Sequence, residues 1–96
     1  MIKIKIHTIL NLKKVIGNRE VEMLAPDRGT LRDLLEIMIN RWGDELGSQL
    51  YGPDGAEPLP YIRLMVNGQD ITFLEGMETM LQNGDEILIL PPVAGG

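Results

Sequence analysis

The residues whose types and spacing allow unusual chemistry stand together at the end of the chain: Pro91-Pro92-Val93-Ala94-Gly95-Gly96, with Gly96 carrying the free carboxylate. Gly95 and Gly96 lack Cβ atoms, so they can pass a constriction that a side chain would block and take the dihedrals that a partner's site imposes. Only the carboxylate is then presented to chemistry. A carboxylate is a poor electrophile, but an ATP-using partner can activate it as an acyl-adenylate. A sulfur donor can then displace AMP and leave a terminal thiocarboxylate, so that sulfur travels on a chain with no cysteine of its own. Two terminal glycines arise by chance in roughly 0.5% of chains, so the pair needs support from its position. That support comes from the two prolines after an apolar run: six residues at about 3.3 Å each extend some 20 Å from a folded body. On these residues alone, an ordinary chain terminus without function is the competing reading.

Composition removes most other chemistry. With no cysteine there is no disulfide, thiolate zinc site, iron–sulfur cluster or cysteine persulfide. A single histidine, His7, cannot build a multi-histidine metal site, so no metal is expected. A net charge of −5 leaves no basic stripe for a phosphate backbone, and the four aromatics are too few for a stacking platform, so nucleic-acid binding is not expected. No glycine-rich loop followed by Lys-Ser/Thr is present, so the chain is expected to bind no cofactor itself, ATP being used by the activating partner. No apolar window reaches the roughly 18 residues of a membrane span, and lysines interrupt the apolar start; a cytoplasmic protein without a membrane segment is expected. At 96 residues the chain has room for one core, which excludes large multi-part enzymes.

The elements that must hold such a tail follow from periodicity. Ile2, Ile4 and Ile6 alternate with Lys3, Lys5 and His7, the two-residue period of a strand with one buried face. Gly17-Asn18 marks a turn before a second strand over 19–24, and the apolar connection from Thr8 to Ile16 leaves room for a short helical turn. Thr30-Leu31-Arg32-Asp33 matches a capping box, and Leu31, Leu34, Leu35, Met38 and Trp42 form an apolar stripe that predicts a helix ended by a left-handed Gly43. The segment 43–60, with its glycines and prolines, reads as loop with one helical turn around 46–50. Strands are expected over 61–66 and 71–74 around the Asn67-Gly68 turn, and a last one over 86–90, whose apolar run predicts a central strand covered on both faces. Asp44-Glu45 and Asp85-Glu86 read as solvated charge, not as acid–base pairs. The order fits an α+β roll of the β-grasp kind, ahead of a ferredoxin-like sandwich: a mixed sheet of four to five strands wrapped around one main helix. A single domain over 1–90 followed by an extended flexible tail over 91–96 is expected.

With these residues in view, the chain resembles the ubiquitin-like sulfur carriers, the MoaD/ThiS family of molybdopterin synthase small subunits and thiamine-pathway carriers. The resemblance is concentrated in Val66-Asn67-Gly68-Gln69-Asp70-Ile71 and in the stretch from Asn83-Gly84-Asp85 through Pro91-Pro92-Val93-Ala94-Gly95-Gly96. It implies a β-grasp fold, no turnover by the chain alone, and adenylation of Gly96 by an E1-like adenylyltransferase. It further implies thiocarboxylate formation with a sulfur donor, and tail residues Pro91, Pro92, Val93, Ala94 and Gly95 that thread that enzyme and then a sulfur-accepting synthase. Pro-Pro-Val-Ala-Gly-Gly and the length look like the molybdopterin branch, in which the acceptor is the synthase large subunit; thiazole synthase of the thiamine pathway, another sulfur pathway, or conjugation to proteins through Gly96 are the alternatives. The opening strand departs from the aromatic-rich pattern of molybdopterin carriers. Here Lys5 and His7 take the outer face, with Asp70 a further polar position and Leu90 an apolar one, so the partner-docking surface is expected at His7, Asp70 and Leu90.

Overall fold

The computed structural model describes residues 1–51 and 62–91. Five strands form one mixed sheet: β1 (Ile2–Thr8), β2 (Glu20–Ala25), β3 (Arg63–Val66), β4 (Gln69–Asp70) and β5 (Glu86–Leu90), in the spatial order β2-β1-β5-β3-β4. Three helices accompany it: α1 (Leu10–Ile16), α2 (Leu31–Trp42) and α3 (Asp44–Leu50). β1 runs antiparallel to β2 and parallel to β5, and β5 runs antiparallel to β3. This is the expected β-grasp sheet around a main helix, α2.

The alternation of the opening strand does what its period dictates. Ile4 and Ile6 are completely buried, while Lys3 is exposed and Lys5 and His7 are half-buried on the other face. Ile6, Ile87 and Val66 are register partners across β1, β5 and β3, and all three belong to the core. Against them lie Leu31, Leu34, Leu35 and Met38 of α2, which carry no measurable exposure; Trp42 is half-buried, with the Arg41 guanidinium 4.6 Å from its ring centre. The helix starts where the capping box places it. Thr30 Oγ1 accepts from the Asp33 N–H at 3.3 Å, and Asp33 Oδ2 accepts from the Thr30 N–H at 3.0 Å, which satisfies two N–H groups otherwise unpaired at a helix start.

Five expectations need correction. Gly43 does have a positive φ of 78°, but its ψ of −162° puts it outside the left-handed helical region and in one that only glycine occupies. That backbone bend ends α2 and starts α3 at once, so the segment read as loop begins with a seven-residue helix whose Leu46 and Leu50 are fully buried. The strand expected over 71–74 is absent. β4 stops at Asp70 because its carboxylate accepts from the Thr72 N–H and hydroxyl, both at 2.9 Å, and turns the chain into a 3-10 helix over Ile71–Phe73. β5 is central, as expected, but it is covered on one face only: Ile87 and Ile89 are fully buried, whereas Leu88 and Leu90 are half-buried on the opposite face. Asp85 and Glu86 are engaged in hydrogen bonds and are not merely solvated charge.

The hairpin signal at Asn67-Gly68 holds. Both residues have positive φ, 50° and 86°, as a tight turn between right-twisted strands demands. Asn67 also fastens the start of β5: its Nδ2–H donates to Asp85 Oδ1 at 2.9 Å, and its Oδ1 accepts from the Glu86 N–H at 2.9 Å. On the β1 side the Gly84 N–H donates to the Lys3 carbonyl, and the Lys3 N–H to Asn83 Oδ1, each at 2.9 Å. No helix among the described residues is long and apolar enough to cross a membrane.

Two outcomes test these local arguments. Gly43→Ala should lower the unfolding free energy in urea by about 1–3 kcal/mol. No atom lies within 4 Å of the added Cβ, so the loss is conformational rather than steric. The Asp70 carboxyl is held below the ordinary aspartate range, first by the Thr72 backbone N–H and then by the Thr72 hydroxyl, with Arg63 assisting against partial burial. A lowered carboxyl contributes stability above the unfolded value of about 3.9, and that contribution disappears as pH falls through the lowered value. An NMR titration should therefore put the Asp70 midpoint below about 3.9, and Thr72→Val should raise it. An unmoved midpoint in the variant would contradict the assignment.

Candidate functional site

The face of the sheet opposite the helices is set by the same register that builds the core. Glu20 pairs with His7, His7 with Leu88, Leu88 with Met65, and Met65 with Asp70, so one row crosses all five strands. Side chains of paired residues share a face, and each of these points away from the buried row formed by Ile6, Ile87 and Val66. Leu90 stands two residues beyond Leu88 on the same face, paired with Arg63. The residues expected to form a docking surface, His7, Asp70 and Leu90, therefore lie on one face without touching. At about 4.8 Å per strand, His7 and Asp70 are some 14 Å apart across the sheet.

The middle of this face is apolar: Leu88, Leu90 and Met65 are half-buried there. Reading β5 as covered on both faces hid Leu88 and Met65. The Asn67-Gly68 turn fixes Met65 opposite Asp70 and so puts Met65 on the face of that polar residue; the pairing of Met65 with Leu88 is set by the β3–β5 contact, for which the sequence holds no local signal. Charged pairs border the apolar middle on both sides. His7 Nε2–H donates to Glu86 Oε1 at 2.8 Å, and its Nδ1 lies 3.7 Å from Glu20 Oε1. Lys5 Nζ stands 3.9 Å from the other oxygen of Glu20. On the far side Arg63 Nη2 is 3.3 Å from Asp70 Oδ2, the carboxyl that Thr72 and Arg63 keep ionised below the usual range. An apolar centre with a charged rim is the composition of a protein-binding face.

Among the described residues no group of three or more His, Asp or Glu side chains is arranged to hold a metal ion, and no buried side-chain nitrogen or oxygen lacks a partner.

β5 carries the chain from this face towards its end. Pro91, read from sequence as the first residue of an extended tail, is buried and is the last described residue of the body. Pro92, Val93, Ala94, Gly95 and Gly96, the rest of the expected tail, lie outside the described residues, as does Tyr61.

Comparison with known proteins sets this arrangement in a family. Residues 10–96 match the model of the ThiS family, a match that includes the Gly-Gly end. The chain is 28% identical over 94 residues to small archaeal modifier protein 3 of Haloferax volcanii, covering 98% of this chain and 99% of that one. It is 33% identical over 87 residues to a candidate sulfur carrier protein of Archaeoglobus fulgidus, covering 91% and 96% respectively. The crystal structure of small archaeal modifier protein 1 of H. volcanii superposes with a TM-score of 0.84 at 25% identity, covering 97% of this chain and all of that one. With a β-grasp sheet and a family match running to Gly96, the chain belongs to the ThiS family of ubiquitin-like sulfur carriers and modifiers.

Proposed function

We propose that this protein is a sulfur carrier that works through the carboxylate of Gly96. The observation that supports this best is the ThiS match through residue 96. The carboxylate attacks the α-phosphate of ATP in the site of an E1-like adenylyltransferase, releasing pyrophosphate and forming an acyl-adenylate. Hydrosulfide from the sulfur donor then attacks the acyl carbon, AMP leaves with the bonding electron pair, a proton is lost, and the terminus becomes a thiocarboxylate. In a sulfur-accepting synthase the thiocarboxylate sulfur bonds to the acceptor and displaces its leaving group, and water then cleaves the acyl–sulfur bond and returns the carboxylate. ATP binds the activating partner, and the chain itself holds no cofactor.

The acceptor we favour is the large subunit of a molybdopterin-type synthase, which uses the sulfur to build a pterin dithiolene; the length and the Pro-Pro-Val-Ala-Gly-Gly ending support that branch. The recognition face departs from an all-apolar docking surface, since His7, Glu86 and Asp70 border its apolar middle. Its acceptor is therefore expected to carry complementary charge around an apolar patch. The short tail beyond Pro91 reaches the partner's active centre, while Leu88, Leu90 and Met65 dock the body.

A second reading, conjugation of Gly96 to lysines of other proteins, is favoured by the relatives named as modifiers. Both readings share the adenylation step and part at the second nucleophile: sulfur in one, a lysine amine in the other.

Deleting Gly96, or replacing Gly95 with Trp, should abolish sulfur transfer to the acceptor in a reconstituted assay, with the urea midpoint of unfolding unchanged. Undiminished transfer by the truncated chain would exclude the carrier reading. Tryptic peptides bearing a Gly-Gly remnant on lysines of cellular proteins, absent from a strain expressing the truncated chain, would establish conjugation instead.

A further inference from the structure

At the corner where β1 turns into α1, two consecutive exposed residues are each the wrong choice for their local backbone. Ile9 is the N-cap of α1, with extended dihedrals of φ −139° and ψ 166°, and no side chain caps the helix there. Isoleucine is among the poorest N-cap residues, because it has no oxygen to accept from the unpaired N–H groups. Leu10 follows with φ at +56°, the left-handed region that disfavours any residue with a branched or bulky side chain. Two other non-glycine residues share a positive φ, but they sit in turns: Arg28, and Asn67 in its hairpin. Ile9 is 38% exposed and Leu10 52% exposed, so burial in the core does not account for them. Neither capping, nor backbone preference, nor burial in the core accounts for these two adjacent aliphatic residues.

The place of this corner in the sheet points to a reason. β1 and β5 are parallel, with Thr8 opposite Ile89, so Ile9 and Leu10 emerge at the same end of the sheet as Leu90 and Pro91. Gly96, the reacting residue, is the fifth residue after the buried Pro91. Five residues span at most about 17 Å. A protein that encloses the Gly96 carboxylate together with ATP must therefore close down onto the rim around Pro91. Leu10 is part of that rim.

We infer that Ile9 and Leu10 form an apolar contact for the activating enzyme, the first protein that must take up the bare carboxylate, and that they are kept at the expense of local stability. This rests on the carrier reading and adds to it a docking element outside the tail and outside the open face of the sheet. The recognised chemistry is an apolar depression at the mouth of the tail channel of that enzyme.

Leu10→Asn and Ile9→Ser separate the two roles. Asparagine tolerates a positive φ, and serine supplies the missing cap oxygen, so each variant should have a Tm equal to or above that of the parent. The probe is an E1-like adenylyltransferase that adenylates the parent chain, followed by ATP–pyrophosphate exchange as the carrier concentration is varied. Each variant should raise the KM for the carrier about tenfold while kcat stays within twofold, as expected when one aliphatic contact is lost from a docking surface. An unchanged KM alongside normal exchange by the parent would overturn this inference alone. A lowered Tm would overturn it as well, since it would show that the corner serves the fold. Failure of the parent chain itself to support exchange would instead overturn the carrier reading, and this inference with it.

Discussion

Strand β5 is hydrogen-bonded along both edges, to β1 in parallel and to β3 in antiparallel, and the rest of the molecule depends on that double pairing. Its inward residues Ile87 and Ile89 lie in the middle of the core, and its outward residues Leu88 and Leu90 form the middle of the open face. A strand fixed on both sides cannot slide by one residue without exchanging those two sets, so the register of the core and that of the recognition face are a single constraint. The start of the strand is anchored by the Asn67–Asp85 clamp and by the docking of the Asn83-Gly84 turn on Lys3. Its end delivers the chain to Pro91. The position of Pro91, the last described residue, is thereby set by a strand paired on both edges.

The charged pairs on the open face are partly solvated, where ion pairs contribute little to stability and more to the choice and orientation of a partner. His7 bridges between Glu20 and Glu86 on one flank, and Arg63 pairs with Asp70 on the other. Leu88, Leu90 and Met65 lie between them.

Much of this was legible from the residues. The two-residue period of Ile2, Ile4 and Ile6, the Thr30–Asp33 capping box, the stripe on α2 and the Asn67-Gly68 turn each rest on local physics, and each appears in the fold as read. What was not legible depended on tertiary context. Leu46 and Leu50, spaced like one helical face, gave the helical turn expected around 46–50, but the glycines at 43, 47 and 52 hid that it begins at Asp44, directly after α2. An aspartate side chain turning back onto Thr72 ended β4 where an apolar pattern argued for more strand. Four consecutive apolar residues in β5 could not reveal that only alternate ones are covered, because a buried run and a strand with one open face look alike in sequence. Pro91 reads as the start of a tail and is part of the body. The terminal glycines themselves were found from composition and position, and the match of the family model runs through them.

The central claim is that the Gly96 carboxylate is the group on which partners act. It is tested most directly by incubating the full chain with ATP, its activating enzyme and a sulfide source, then measuring intact mass and locating any change by fragmentation. The account predicts replacement of one oxygen by sulfur, confined to the fragment that contains Gly96 and dependent on ATP. A chain whose terminal fragment keeps its original mass while the enzyme activates another member of the family in the same mixture would contradict it.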